Sequence, residues 1–592
     1  MFEAFAQRNR SDDAPRLALP RLTSYVGFSD VLWLLALALL LVATGIGLRD
    51  PWPSDEPRFA LVARDMVATG HWLLPLVGGQ PYADKPPLFF WLIAIFLQAT
   101  QSLRIAFLLP SFFAAFGCAV LVYDLARRLW NRETGIAAAL ALLFTVQFVW
   151  HARQAQIDVT LCFWTTLSLY GLLRHLLLGP AWRWYTIGWA AAGLGVITKG
   201  VGFLPLLVLI PFVLLRDPRW QPRVAPTQSH RARWLLGPLA FIAAVSIWLV
   251  PMLLAARGDP TLAAYRDEIL FNQTIKRYGN AWHHRQPFWY FLVEVIPVLW
   301  LPLTLLVPWL VGHWRSALRS FDLRVALLAA WIVMVVLFFS FSTGKRGVYM
   351  LPAVPAFALL CAPYLAQIAA LRSAQRAMFA LAASVIALCV GAWIYLSALP
   401  QQHAYIIAAY DLDPVGPLAL IAIAGTVVCV IARPRRGFLA YAGALASALL
   451  IVSLWVNPQM NAARSGAAFV ARLEQTADPH QELGLVAFKE QYILNARREI
   501  VHFGNARWRE ADQEMADAAL WLSRRPGRQL VINSEARALC FSNAPVQALG
   551  AANRSEWYLV REGADRACVA RGKPGAAYYY LPPRPDGTRL SS

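Results

Sequence analysis

Long apolar runs separated by short arginine clusters fill the first three quarters of this chain, and that alternation restricts its fold more than any other feature. About 20 consecutive apolar residues cross the hydrocarbon of a bilayer as a helix. Thirteen candidate spans meet or approach that length, at 31–48, 103–123, 135–151, 157–178, 185–198, 200–215, 234–256, 287–311, 324–341, 348–370, 377–398, 415–432 and 438–456. With 58% apolar residues and 24 Trp in 592, most of the chain belongs in lipid rather than in a soluble core. A net charge of +20 would suit nucleic acid, but the basic residues sit between apolar runs, as cytoplasmic loops require, so nucleic acid is excluded as a partner.

Charge also orients the chain. Arg8, Arg10, Arg16 and Arg21 precede the first run with no small-residue cleavage site close behind, so Val31–Leu48 reads as a retained span and residues 1–30 as a cytoplasmic tail. The inner loops then hold Arg127, Arg128 and Arg132; Arg174 and Arg183; Arg216 to Arg233; Arg315, Arg319 and Arg324; Arg372 and Arg376; and Arg433, Arg435 and Arg436. All are basic, as the positive-inside rule asks. Counting the short run Leu88–Gln98, preceded by Lys85, Pro86 and Pro87, as a further span would invert every later loop. It is expected to be an interfacial or re-entrant helix.

The expected architecture is a polytopic α-helical membrane domain over 31–456 and a soluble α/β domain over 457–592 on the outer side. In the latter, Ala467–Glu474 reads as helix, and Leu483–Phe488, Ile500–Phe503 and Leu530–Asn533 read as strands. Cys540 and Cys568 are its only cysteines, and an oxidising compartment would permit them to pair; two separate buried thiols fit the spacing equally.

Stretches rich in ionisable residues fall mostly on the outer side, so the chemistry is expected there. Asp55, Glu56 and Arg58 lie in the first, which continues to Tyr82, Asp84 and Lys85. Transfer of a sugar from a lipid phosphate needs a base for the acceptor proton and cations for the leaving phosphate, roles that suit Asp55 and Lys85. Asp55 and Glu56 before Pro57 could equally be helix caps.

The segments Asp55-Glu56-Pro57-Arg58-Phe59-Ala60, Thr69-Gly70-His71-Trp72 and Tyr82-Ala83-Asp84-Lys85-Pro86-Pro87-Leu88 resemble the first outer loop of bacterial aminoarabinose transferases. These belong with protein O-mannosyltransferases to the membrane-embedded GT-C glycosyltransferases. The turn Thr198-Lys199-Gly200, the stretch Ile275-Lys276-Arg277-Tyr278 with His284-Arg285-Gln286-Pro287, and Phe341-Ser342 through Lys345 to Tyr349-Met350-Leu351-Pro352 are similar to further family motifs in the same order. The resemblance covers about residues 30–365. It implies a GT-C fold with about 13 transmembrane helices and a periplasmic C-terminal domain in the bacterial inner membrane. It also implies inverting transfer from an undecaprenyl-type phosphate sugar, with Asp55 as base. Tyr82, Lys85, Arg277 and Tyr349 would bind the donor phosphate, joined by Lys199 and Lys345. Arg and Lys supply charge to a phosphate, and a Tyr hydroxyl supplies a neutral donor.

Three departures from the family pattern stand out. Asp84 replaces a Glu at a position the family associates with a divalent metal, where His283 or His284 would add nitrogen ligands. Asp158 enters a span near the lipid boundary, where a carboxylate needs a partner; Arg153, Lys199 or another outer cation is expected, making Asp158, with Glu56 and Arg58, a support for the site. The spacing Gly344-Lys345-Arg346-Gly347 differs from that of many relatives. No nucleotide motif occurs, as suits a donor already activated by its phosphate ester. The expected acceptor is lipid A or a related envelope glycan, with Ser or Thr of exported proteins second. A transporter or flippase of lipid-linked substrates is the competing class, but its hallmark, repeated halves, is not apparent.

Overall fold

The computed structural model describes residues 27–215, 218–220, 228–270, 285–505 and 507–584. Each of the thirteen expected stretches holds helix. Eight helices are long and apolar enough to cross a membrane, or ten if each of two bent pairs counts as one span. The pair Arg132–Leu143 and Val146–Ala152 bends by 66°, where the Val146 N–H leaves the helical ladder to donate to the Leu301 carbonyl. The pair Phe291–Leu299 and Thr304–Arg319 turns by 102° around Pro302, whose ring supplies no N–H.

The first helix is shorter than the apolar run suggested. It covers Phe28–Ala38 and continues as one π turn over Leu39–Ala43, after which the chain turns. Thr44 Oγ1 donates to the Leu40 carbonyl, and Gly45 follows at φ 96°, with Ser453 so close that an added Cβ would lie 3.1 Å from it.

Hydrogen bonds sort the loops into two faces. On one, Arg132 grips Asp30 at 2.5 and 2.8 Å, and Arg324 donates to the Leu129 carbonyl at 2.7 Å. On the other, Arg153 reaches the Leu41 and Thr44 carbonyls and the Ser453 hydroxyl, and Lys199 pairs with Asp158. The first face is the arginine-loop face, so the helices run in the directions that the charge pattern assigns.

Leu88–Thr100 is a short apolar helix that touches the bundle, Phe96 stacking on Phe113, and packs its other side on the C-terminal region. Phe89, Phe90, Ile93, Ala94 and Leu97 are buried in one apolar cluster with Leu483, Leu485, Tyr492 and Trp557 of the C-terminal region. The helix Glu56–Thr69 packs into the same cluster through Phe59, Val62, Ala63 and Met66. This shared core joins the first outer loop to the C-terminal sheet.

That sheet has six strands, in spatial order Val546–Ala552, Ser555–Val560, Arg528–Asn533, Glu482–Leu485, Ile500–His502 and Tyr578–Tyr580. Glu482–Leu485 runs parallel to both its neighbours, and the other pairings are antiparallel. Parallel neighbours need crossovers, which contain the helices Glu490–Asn495 and Ala511–Ser523. Tyr492, Ile493 and Leu494 face the outer-loop core, whereas Met515, Ala518 and Trp521 fill a second core on the far side. Cys540 and Cys568 are joined in a disulfide, with Cα atoms 5.6 Å apart.

Candidate functional site

Asp55 stands just before Pro57 opens the helix Glu56–Thr69, yet its side chain makes no capping hydrogen bond. Glu56 has the structural task instead. It accepts from Arg49 at 2.5 and 2.8 Å, from the Trp52 N–H at 2.9 Å and from the Ala155 N–H at 2.9 Å. These four bonds saturate the buried Glu56 carboxylate and tie two outer loops together. Arg49 also lies 4.9 Å from the Trp52 ring centroid, and Arg464 lies 4.9 Å from the same ring.

With Glu56 fixed, the neighbouring Asp55 carboxylate is a quarter exposed and faces two cations. Arg58 Nη1 is 4.0 Å from Oδ1, and Arg346 Nη2 is 3.7 Å from Oδ2. Both separations exceed hydrogen-bond distance, so the cations stabilise the charge without occupying the lone pairs. Arg58 is held by Glu490 of the C-terminal region, Nε to Oε1 at 2.7 Å, and its guanidinium lies 5.9 Å from the Tyr82 ring centroid. Burial works against the Arg58 charge, but Glu490 and Tyr82 outweigh it and raise its pKa. Burial, reinforced by Asp84, pushes the Tyr82 phenol upward as well, which keeps it a neutral donor at physiological pH.

A second cluster lies deeper. Lys199 closes its helix Trp182–Lys199, ion-pairs with Asp158 and sits 4.7 Å from the Tyr349 ring centroid. Of the cations expected for Asp158, Lys199 is therefore its partner, while Arg153 turns to carbonyls. His151 lies within electrostatic reach of Asp158, Lys199 and Arg346, linking the two clusters. Buried Gln147 braces this wall: it accepts from Trp300 Nε1 at 2.8 Å and donates to the Gly347 carbonyl at 2.8 Å, next to Arg346.

Lys85 Nζ donates to the Asp84 carbonyl at 3.0 Å. Lys345 is buried and donates to the Gln286 carbonyl at 2.9 Å, so its neighbour Arg346 is the residue that faces Asp55. Arg277, His283 and His284 lie outside the described residues. Among the described residues no three of His, Cys, Asp or Glu converge on a metal position. Asp84, the described part of the expected ligand set, does not by itself make a metal site, and no step below is routed through one.

The family described as dolichyl-phosphate-mannose-protein mannosyltransferase matches residues 84–249. An undecaprenyl phosphate-alpha-4-amino-4-deoxy-L-arabinose arabinosyl transferase of Pseudomonas fluorescens is 32% identical over 345 residues, 55% of this chain and 58% of that protein. One from Pseudomonas aeruginosa is 31% identical over 353 residues, 56% of this chain and 59% of that one. The crystal structure of ArnT from Cupriavidus metallidurans bound to undecaprenyl phosphate superposes with a TM-score of 0.70, at 19% identity, over 93% of this chain and 100% of that one. The chain therefore shares the GT-C membrane fold of that structure.

It is a multi-pass membrane protein, and its charged clusters lie on the face opposite the arginine loops. The matched segment spans less than two thirds of either relative. Sequence reasoning missed Arg346, His151 and Glu490. Arg346 had a signal, since it adjoins Lys345 in a recognised motif. His151 sits inside an apolar run, and Glu490 is 432 positions from its partner Arg58, so neither left a local trace.

Proposed function

We propose that this protein moves a sugar from a polyprenyl (undecaprenyl) phosphate to lipid A or a related envelope glycan, on the periplasmic face of a bacterial inner membrane. The observation that carries the reading is the uncapped Asp55 carboxylate, with Arg58 and Arg346 at 4.0 and 3.7 Å and both oxygens free of close hydrogen bonds to either cation. Asp55 takes the proton of the acceptor hydroxyl or acid phosphate as its oxygen attacks the anomeric carbon. The bond from that carbon to the donor phosphate breaks, and polyprenyl phosphate leaves with the electron pair. Attack opposite the leaving group inverts the anomeric configuration.

The leaving phosphate gains charge in that step and needs preorganised cations and donors. Lys85, Lys199 and Arg346, with Tyr82 and Tyr349 as neutral donors, are the described residues proposed for this work; Arg277 is proposed from the motif alone. Asp158 holds Lys199 in place. The protein-mannosyltransferase match over residues 84–249 favours a second acceptor class, Ser or Thr of exported proteins.

Mass spectrometry of lipid A from a deletion strain complemented with wild type or Asp55→Asn tests the proposal. A sugar-sized adduct with wild type and none with Asp55→Asn is expected. No lipid A change with either would defeat the lipid acceptor and direct the search to exported glycoproteins.

A further inference from the structure

We propose that Glu490, on the C-terminal domain, is a positioning residue that holds Arg58 off Asp55 and so keeps the base open; this rests on the function proposed above. Arg58 has two carboxylates within reach. Asp55 is three positions earlier, a spacing at which side chains along a helix meet readily. Glu490 is 432 positions away and nevertheless holds the closer contact, 2.7 Å from Nε against 4.0 Å from Nη1 to Asp55.

The geometry explains why this competition matters. A base must keep a lone pair for the incoming proton while remaining ionised. A guanidinium near 4 Å satisfies both needs, whereas a guanidinium in bidentate contact fills the oxygens it stabilises. Glu490 is the first residue of the helix Glu490–Asn495, in the crossover between the parallel strands Glu482–Leu485 and Ile500–His502. Tyr492, Ile493 and Leu494 of that helix are buried in the core shared with Glu56–Thr69, and Arg64 Nη1 donates to the Leu494 carbonyl at 2.8 Å. Glu490 is therefore held on a packed element, 9% exposed, and Arg58 has little freedom while it is bound there. Without the Glu490 charge, Arg58 needs to close only about 1 Å to reach hydrogen-bond distance from Asp55.

The test uses the full-length chain in detergent with two readouts. Carbodiimide-driven labelling of Asp55, read by peptide mass spectrometry, needs no transferase activity. Glu490→Gln is expected to reduce Asp55 labelling about fivefold, and adding Arg58→Met to restore it, because the quenching group is gone. In the transfer assay, Glu490→Gln is expected to lower kcat about tenfold with the donor KM within about twofold, and Arg58→Met in that background to raise kcat again. A purely structural Glu490 gives additive losses in the double variant. Glu490→Asp keeps the charge on a shorter arm and is expected to retain intermediate labelling, which separates lost charge from lost folding. Unchanged labelling in Glu490→Gln, or additive losses, overturns the proposal. If wild type transfers no sugar the proposed function fails, while labelling still decides whether Glu490 controls Arg58.

Discussion

The contact between the first outer loop and the C-terminal sheet contains two buried titratable groups of opposite behaviour, and their pH dependence can be calculated. Asp65, on the helix Glu56–Thr69, is 2% exposed; it accepts from the Tyr580 hydroxyl at 2.5 Å, while Oδ2 has no hydrogen-bond partner. Burial raises its pKa to about 7, against the lowering effect of Tyr580 and Arg64. His502 is fully buried; its Nε2–H donates to the Gly78 carbonyl at 2.8 Å and its Nδ1 accepts from the Gly504 N–H. Burial lowers its pKa to about 4. Gly78 at φ 59° permits this approach, since a Cβ there would lie 3.0 Å from His502 Nε2 and 2.8 Å from the Phe488 ring.

Between pH 4 and 6.5 folded Asp65 holds a proton that the unfolded chain has lost, so its contribution falls as pH rises. Over the same range unfolded His502 is charged and folded His502 neutral, so its contribution falls as pH drops. The two slopes cancel in the wild type. At about 1.4 kcal/mol per pKa unit, Asp65 accounts for roughly 4 kcal/mol between pH 4 and 7, and His502 for roughly 3 kcal/mol between pH 4 and 6.5. Asp65→Asn, which keeps an acceptor for Tyr580, should unmask the histidine: its thermal midpoint relative to wild type should climb with pH. His502→Gln should do the reverse and fall as pH rises to 7. Each divergence should be on the order of 10 °C across the window for the unfolding of a domain of this size. Intrinsic fluorescence melts of the purified protein from pH 4.5 to 7.5 measure this, and parallel curves for all three proteins would refute the assignment.

Asp55→Asn should reduce sugar transfer by about 10²-fold or more with little change in thermal midpoint, because Asp55 makes no capping bond; a normal rate in a reconstituted assay would remove it as base. Arg49→Ala leaves the buried Glu56 carboxylate without its cation and should destabilise the protein by roughly 3–5 kcal/mol, visible as a lowered melting temperature. Lys199→Met strips Asp158 of its partner and removes the cation beside Tyr349, and should raise the donor KM at least as much as it lowers kcat in steady-state kinetics.

The membrane architecture was legible because its cause is one-dimensional. A run such as Val415–Ala432 is long and apolar along the chain itself, and the arginines beside it report orientation. That Leu88–Thr100 is a short apolar helix was legible for the same reason, since the run itself is short and prolines precede it. The end of the first helix was not, because composition continues apolar past Ala43 and the stop is set by Thr44 and by the close approach of Gly45 to Ser453. In the C-terminal region, Glu482–Leu485, Ile500–His502 and Arg528–Asn533 lie within or overlap the apolar runs that suggested them. Val546–Ala552, Ser555–Val560 and Tyr578–Tyr580 went unread; the first contains Gly550 and three alanines and takes its register from its partner strand.

The site was partly legible, and the dividing line is physical. Which residue types are needed, a carboxylate with cations and phenols around it, follows from the chemistry and could be matched to motifs. Which member of an adjacent pair does the work depends on where the backbone sends each side chain. Asp55 and Glu56 are one position apart, yet Glu56 is saturated by Arg49, Trp52 and Ala155 while Asp55 has no cap bond. Lys345 and Arg346 divide in the same way, one donating to the Gln286 carbonyl and the other facing Asp55. In both pairs one residue fixes the loop, so that its neighbour's charge can be presented without being consumed. The same division extends across the molecule in Glu490 and Arg58, where the element that fixes the cation belongs to the C-terminal sheet. The carboxylate proposed as base is a quarter exposed and so is not surrounded by a core; its surroundings are ordered by a folded sheet packed on the helix that Asp55 precedes.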